Sequence, residues 1–511
     1  MDSLSNSLNP NKHLKEEFVS NLTGSSMLEI SALLTAVSIL VLLRHSISSY
    51  RPNDSNKADT SSKKSDDAIV VPRNWIAYVA TLSVDFLFIV APTLLLITVL
   101  AEWTYTCAIL VILLLIFSIV AKRYGYSPPY LDRGPHSLRK TITSYRVSAM
   151  IMTYLCILAV DFRIFPREYA KTETYGTGLM DLGVGFFVLV NAIVSRQARN
   201  ISSVNWKTTF QSTCPLLLLG LGRLVFTTGV DYQLHVGEYG VHWNFFFTLA
   251  AVSILTCIFN VPPQYSGIVG SIILIGYQSW LIHGLNVYLL SNERDTDIIS
   301  KNKEGFFSVF GYWGLYLVGV QLGQYLFFGN HQSPMSRSNK WARTRVWIFS
   351  LLFWALTLLL DRHVDRVSRR MVGCAALLYL LAVRLLQHLK NVLWNYRLKN
   401  TYHAFYCKMH MLLMSLPRTY FICLLLVQVL AILMLSDYVP GSETTALEEA
   451  FNRNLLASFL LANMLTGLVN FLVDTLSASW MSALLILFAY AFILSATIGF
   501  VDFYGIRLKF W

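Results

Sequence analysis

Charge is what this chain has least of. Asp, Glu, Lys and Arg make up 14% of its 511 residues, against about 25% in a soluble globular domain. Water is therefore excluded as its main solvent. Also missing is a secretory leader with a basic start, an apolar core and a small-residue cleavage site. The first 27 residues are polar, and the first apolar run is expected to stay on as a helix. Seven cysteines (107, 156, 214, 257, 374, 407 and 423) form no CxxC, and most lie in or beside apolar runs. That pattern excludes a disulfide framework and a metal knuckle. No GxSxG elbow, Walker A loop or GxGxxG fingerprint occurs. None of the eleven His residues is followed five positions later by Asp, so the His-x4-Asp pattern of glycerolipid acyltransferases is absent.

What is present is apolar: 55% hydrophobic residues and a mean hydropathy of +0.51. Runs such as 86–100 and 108–120 hold almost no polar side chain, and a bilayer core takes about 20 such residues per helix. Fourteen runs are readable, near 28–43, 75–99, 102–121, 147–160, 178–195, 213–229, 243–260, 267–290, 306–328, 346–360, 371–387, 418–435, 453–473 and 480–502. They predict an all-α, polytopic transmembrane bundle of thirteen or fourteen helices. The runs at 371–387, 453–473 and 480–502 are the weakest of the set. Continuous rather than alternating runs exclude a β-barrel. The chain divides into a polar segment 1–27, a membrane domain 28–504 and a short tail 505–511, which carries no KDEL-like address.

The net charge of +12 is concentrated in short loops. Residues 44–73 hold six Lys/Arg against four Asp, 122–146 six against one, and 384–418 six with no acid. Residues 196–207 and 337–345 are basic as well. Alternating spans put these loops on one side, which the positive-inside rule makes cytosolic, with the N-terminus on the luminal side. Nucleic acid is therefore not the partner. The opposite loops, 161–177, 230–242, 291–305, 361–370 and 437–453, are mixed in sign and hold most of the unusual polar residues.

Five polar clusters stand out. In the first, Asp161 ends an apolar helix, Pro166 breaks the chain, and Arg167, Glu168, Lys171, Glu173 and Asp181 follow. A carboxylate at the membrane boundary is costly unless paired or functional. Low polarity would raise its pKa and suit it to general-base work, with Lys171 able to neutralise it or stabilise an oxyanion. The competing reading is an ion pair of Asp161 with Arg163 or Arg167. In the second, His235, Glu238 and His242 recur at helical spacing before Asn244, but Gly237 and Gly240 weaken the helix. Interfacial aromatics with hydrogen-bonded His compete there with a metal or acid–base pair. The third is Asn302-Lys303-Glu304-Gly305, running on to Ser308, Gly311 and Tyr312, where Glu304 suits a helix start. The fourth is Arg369-Arg370, a phosphate clamp or a pair of snorkelling anchors. In the fifth, Asn463, Thr466, Asn470 and Asp474 recur at three and four. They form a polar stripe that either lines a cavity or joins helices.

These segments resemble a known family. Ile157-Leu-Ala-Val-Asp161-Phe, Phe165-Pro-Arg167, Ala170-Lys171-Thr-Glu173 and Met180-Asp-Leu-Gly-Val-Gly185 look like its most characteristic block. Glu238-Tyr-Gly-Val-His242-Trp-Asn-Phe-Phe, Glu304-Gly305, Gly311-Tyr312, Val367-Ser-Arg-Arg370 and Thr466-Gly-Leu-Val-Asn470 look like its others. The family is the inositol acyltransferases of glycosylphosphatidylinositol (GPI) anchor biosynthesis, and the resemblance covers nearly the whole chain. It implies a multi-pass endoplasmic-reticulum enzyme of about thirteen spans with a luminal N-terminus. Its reaction would move a palmitoyl-type chain from acyl-CoA to the inositol ring of glucosaminyl-phosphatidylinositol. Arg163, Glu168, Leu234 and Lys303 depart from the family's usual residues.

The expected mechanism is direct transfer, with Asp161 as general base, Lys171 as its orienter or oxyanion partner, and His242 as second candidate base. Substrate contacts are expected from Arg167, Glu173, Asp181, Glu238, Asn244, Glu304, Arg369, Arg370, Asn463, Asn470 and Asp474. No bound metal or cofactor is expected, because the thioester of the acyl-CoA co-substrate is already activated. The rival readings are a lipid transporter or flippase and a non-catalytic subunit of a GPI-synthesis complex. Consumption of acyl-CoA by purified protein in detergent separates them from the enzyme.

Overall fold

The computed structural model describes residues 17–18, 20, 22–47, 74–125, 136–172, 177–201, 206–228, 239–291, 293–328, 339–363, 417–439 and 444–508. Its described helices of eight or more residues begin with α1 Met27–Ile47, α2 Trp75–Leu96, α3 Thr104–Gly125, α4 His136–Ala159, α5 Gly183–Ile193, α6 Trp206–Thr228, α7 Phe245–Phe259, α8 Pro263–Trp280, α9 Lys303–Gly323 and α10 Asn339–His363. After them come α11 Pro417–Leu433, α12 Ala446–Arg453, α13 Leu455–Leu472 and α14 Trp480–Phe503. Among the described residues there is no strand, only an isolated bridge between Ser25 and Thr177. Thirteen of the fourteen apolar runs coincide with helices, and the run at 371–387 lies outside the described residues. By length and composition α1, α2, α3, α4, α9, α13 and α14 can each cross a membrane. α7 and α8 pass the same criterion only together, across a 120° bend.

The membrane segment is laid out as two compact units. One holds Ser31–Pro166 and Val429–Lys509, the other Arg167–Gln428 with Met1–Ile30. In the first, charges buried among apolar helices decide the packing. Arg44, near the end of α1, pairs with Asp85 of α2 at 2.7 Å, and both side chains are at least 93% buried. The second Asp85 oxygen accepts the Leu447 backbone N–H at 3.0 Å. Next along α1, His45 meets Glu448 at 2.8 Å. Glu448 also closes a capping box with Thr445 that starts the eight-residue α12. Burial alone raises the Glu448 carboxyl, but the His45 charge and hydrogen bond, with Ser144 and the Thr445 N–H, prevail and hold it below its ordinary value. Arg453, at the other end of α12, pairs with Asp502 of α14 at 2.9 Å, and Tyr78 of α2 donates to the same carboxylate. One short amphipathic helix thus ties α1, α2 and α14 together at one end of the unit.

From that end α4 and α13 run side by side in the same direction. Arg146 meets Asn452 just before α13, the Tyr154 hydroxyl reaches the Leu455 carbonyl, and Asn470 reaches Asp161. Tyr490 of α14 donates to the carbonyls of Tyr154 and Ala462. This corrects the sidedness read from the sequence. Strict alternation of fourteen runs makes 453–473 antiparallel to 147–160 and puts 437–453 opposite the basic loops. The ion pairs place α12 instead at the Arg44 end of α1. The change of parity falls before α11, whose C-terminal extension already meets Thr141 through Ser436.

In the second unit α8 packs antiparallel to α9, and α5 lies parallel to α9. Glycine lets the backbones approach: a Cβ at Gly270 would meet the Gly314 carbonyl, and one at Gly323 the Ile193 backbone. Small residues at such crossings are how helices gain contact when lipid supplies no hydrophobic drive. Between α7 and α8, Asn260 adopts φ 36° and Pro262-Pro263 follow. The backbone of this turn is satisfied by side chains: Gln197 donates to the Val261 carbonyl at 2.7 Å and Gln321 to the Gln264 carbonyl at 3.0 Å. Unpaired backbone groups in a bilayer cost several kcal/mol each.

Two outcomes are expected. Asp85→Leu strands the Arg44 cation and lowers stability by about 3–5 kcal/mol, while the double change Arg44→Leu/Asp85→Leu restores most of it; thermal unfolding in detergent reads both. In sealed microsomes, single cysteines at Tyr438 and Ser62 react with an impermeant maleimide from the same side, and one at Ser477 from the opposite side. Labelling of Tyr438→Cys and Ser477→Cys from one side contradicts the parallel course of α4 and α13.

Candidate functional site

Asp161 lies two residues past α4, its backbone N–H returning to the Leu158 carbonyl. Phe162 and Phe165 on either side of the turn are fully buried and anchor it, so the half-buried carboxylate is presented by a fixed backbone. Its Oδ2 accepts a hydrogen bond from Asn470 Nδ2 at 2.7 Å. Of all the residues singled out from sequence, these two are brought together across 309 positions. Arg163 is exposed and forms no ion pair with Asp161 among the described residues.

The polar stripe read on α13 is unevenly buried. Thr466 is buried and Asn470 half-buried, but Asn463 is exposed, its amide returned to the Phe459 carbonyl. The helix stops at Leu472, so Asp474 lies beyond it and caps a turn through the Leu476 N–H. The spacing of three and four keeps Asn463, Thr466 and Asn470 on one side of the helix, and Asp474 drops out because the helix has ended.

In the second unit, Lys171 sits half-buried in a loop that Asp181 holds in shape. Asp181 Oδ2 accepts from the Thr172 hydroxyl at 2.8 Å, the Gly178 N–H at 3.0 Å and the Thr172 N–H at 3.2 Å. The N-terminal segment braces the same loop. Ser25 N–H donates to the Thr177 carbonyl at 2.8 Å, and the Thr177 hydroxyl donates back to the Ser25 carbonyl. Glu29 takes hydrogen bonds from Ser25 and from the Tyr169 hydroxyl. Arg167 lies over the Phe18 ring at 3.9 Å. Gly24, at φ 77°, is needed because a Cβ there would strike Thr172 and Thr177.

A second corner of this unit holds His242. Asn302 Oδ1 accepts from the His242 and Trp243 N–H groups at 2.7 and 2.9 Å. Gly240, at φ 99°, packs directly on the Asn302 backbone. Asn244 is the N-cap of α7: its Oδ1 accepts from Phe246 and Phe247, and its Nδ2 donates to the Gly220 carbonyl. Glu304 makes a two-pronged pair with Arg294, at 2.6 and 3.2 Å. Lys303 is fully buried, and its ammonium donates to the carbonyls of Tyr288, Ser291 and Glu293 and to the Ser291 hydroxyl. Asn244, Glu304 and Asp181 were expected to touch substrate. In the structure their side chains cap a helix, pair with arginine and hold a loop. Glu173, Glu238, His235, Arg369 and Arg370 lie outside the described residues.

Sequence reasoning missed the partners. Arg294, Tyr169 and Glu29 carry no periodic signal, and their importance comes from contacts with distant segments; Asn302 opened the third cluster, but its contact with the His242 segment was not foreseen. Of the first three, Glu29 alone had a local cue, an acid in the first turn of the first apolar helix.

The architecture defines a helical integral membrane protein with a half-buried carboxylate, fixed by an amide, at the end of a spanning helix. Comparison narrows this class to a family: the chain matches the GWT1 family over residues 11–501 and belongs to it. It is 52% identical to an uncharacterised protein of Arabidopsis thaliana, over 93% of this chain and 98% of that one. It is 30% identical to the mouse glucosaminyl-phosphatidylinositol-acyltransferase, over 98% and 99%. It is 31% identical to GPI-anchored wall transfer protein 1 of Aspergillus oryzae, again over 98% and 99%.

Asp181→Ala removes the acceptor of three donors, which costs about 1–3 kcal/mol per buried group left unpaired. Amide hydrogen exchange at Thr172 and Gly178 is expected to speed up at least about tenfold, while exchange in α13 stays unchanged. Unaltered protection at both amides would show that Asp181 does not hold the loop.

Proposed function

We propose that this chain is an inositol acyltransferase of GPI-anchor biosynthesis. It transfers a palmitoyl-type acyl group from acyl-CoA to the inositol ring of glucosaminyl-phosphatidylinositol in the endoplasmic-reticulum membrane. The observation that carries the reading is the Asp161 carboxylate, held by Asn470 at the end of a membrane helix, in a family whose mouse relative is named for that acyl transfer.

The chemistry asks little of the protein beyond positioning and one proton transfer. Asp161 removes the proton from an inositol hydroxyl, and the oxygen attacks the thioester carbonyl. As the tetrahedral intermediate collapses, the carbon–sulfur bond breaks and the CoA thiolate leaves. The proton held by Asp161 is then available to the departing sulfur. Lys171 is assigned to the oxyanion of the intermediate, where a fixed positive charge stabilises the developing negative one. His242 is the alternative base, and its backbone N–H contact to Asn302 leaves the ring to be judged by substitution. Arg167, Arg369 and Arg370 are proposed for anionic parts of the substrates, which a guanidinium recognises as a fork. Glu173, Glu238, Asn463 and Asp474 remain proposed contacts of the sugar and inositol hydroxyls. No residue has to become acylated, which fits the lack of a nucleophile elbow in the sequence.

The test uses purified full-length protein in detergent, where no second compartment exists for transport. With palmitoyl-CoA and a short-chain glucosaminyl-phosphatidylinositol, wild type is expected to release free CoA and yield an acylated inositol lipid. Asp161→Asn is expected to lower kcat by about 10²–10⁴-fold, the usual contribution of general acid–base catalysis. Wild-type turnover by a folded Asp161→Asn protein removes Asp161 from the mechanism. Failure of wild type to consume palmitoyl-CoA favours a transporter or an assembly subunit.

A further inference from the structure

The contact between Asp161 and Asn470 has a definite polarity. Asn470 Nδ2 carries two hydrogens. One goes to Asp161 Oδ2 at 2.7 Å and the other to the Thr466 carbonyl, one turn back on the same helix, at 3.2 Å. Flipping the amide would turn its oxygen toward two acceptors, so the flipped state loses both bonds and gains two repulsions. The bond to Thr466 therefore fixes the plane of the amide relative to the axis of α13, and the amide fixes one oxygen of the carboxylate. Asp161 itself sits past the last turn of α4, where no helical ladder orients its side chain. Its backbone is held by Phe162 and Phe165, both fully buried, but those rings set the position of the Cα, not the rotation of the carboxyl.

We propose that Asn470 is a positioning residue for the Asp161 base: it clamps Oδ2 against α13. The inference rests on the acyl-transfer reading above. A neutral amide suits the task. A donor to the ionised form favours that form, and a lysine or arginine at 470 would favour it so strongly that basicity is lost. General-base catalysis is best with a pKa near the working pH, and an amide orients the carboxylate at smaller cost to its proton affinity. The flanking charged groups on these two elements, Arg163 and Asp474, are both exposed, so neither supplies this clamp.

The experiment measures kcat, KM for each substrate and the pH profile of kcat, using full-length protein in detergent with palmitoyl-CoA and a short-chain glucosaminyl-phosphatidylinositol. Asn470→Ala is expected to lower kcat by about 10–100-fold, the scale of a misoriented catalytic group, with both KM values within about twofold of wild type. Its acidic limb moves to higher pH, because the charged form of the base has lost a donor. Asn470→Asp puts two carboxylates on one site and makes them share a proton, so its limb moves further in the same direction, by more than about one pH unit. Asn470→Gln keeps the two donors on a longer arm and is expected to recover part of kcat. Folding is checked for each variant by thermal unfolding.

Wild-type kcat and an unmoved acidic limb in a folded Asn470→Ala protein overturn the inference. So does a loss of activity that only parallels a loss of folded protein, with the surviving enzyme keeping the wild-type limb. The base reading fails separately: an active Asp161→Asn protein removes Asp161. An inactive Asp161→Asn protein beside an unaffected Asn470→Ala protein keeps the base and removes only the clamp.

Discussion

Asp85 places a full carboxylate inside an apolar helix, and the first unit is arranged around the need to neutralise it. Water is not available there, and an isolated ion in a low-dielectric interior is too costly to persist. Arg44 supplies the charge and the Leu447 N–H supplies a further donor. Those two partners come from opposite ends of the chain, so satisfying one carboxylate brings α12 beside α1 and α2. His45 with Glu448, and Arg453 with Asp502, repeat the logic on either side. Ion pairs buried in this way contribute less to net stability than to specificity. Here they select which end of the unit α12 occupies, and thereby the direction in which α13 leaves it. The meeting of Asn470 with Asp161 at the far end follows from that choice.

The second unit meets the same constraint with hydrogen bonds rather than ion pairs. Its chain leaves the helical ladder at 170–172, 177–179, 240–244, 260–262 and 293–297 among the described residues, and each departure frees backbone groups that need partners. Asp181, Asn302, Gln197 and Gln321 provide them. Lys303 does so for a helix end, pointing its ammonium at carbonyls where a positive charge is favoured by the helix dipole. A polar residue near the membrane is thus as often an anchor for irregular backbone as a contact for substrate. Asn244 and Asp181 show the ambiguity. Their position in a characteristic block could not distinguish holding a loop from holding a sugar.

Legibility in the sequence followed the range of the interaction. Apolar runs need only neighbours along the chain, and thirteen of them mark helices. Asp161 was legible because a carboxylate closing an apolar run is anomalous wherever it lies. Its partner was legible only by type: Asn470 belonged to a stripe that Asp474 leaves, because periodicity assumes a helix that continues and α13 stops at Leu472. The side on which 437–453 lies was not legible, since a parity count inherits the error of every run before it. One doubtful run reverses all that follow. Contacts such as Leu447 with Asp85, 362 positions apart, correct the count because they bypass it.

The same separation explains why so spare a site can be specific. A carboxylate on a turn is a weak base in water and an imprecise one, since both oxygens rotate freely and both are solvated. Burial removes water but penalises the charge, and a cation would restore the charge at the expense of basicity. An amide anchored to its own helix by Thr466 escapes both difficulties, because it gives direction and a donor without a net charge. It can do so only if α13 is rigid where it meets α4. That rigidity is supplied by Tyr490, which is buried and bonded to carbonyls of both helices, and by the ion pairs that seat α12 at the opposite end. Helices of such length transmit a small angular error at one end as a displacement of several ångströms at the other. The charged end of the unit therefore has to be firm for the proposed base at the other end to be placed accurately.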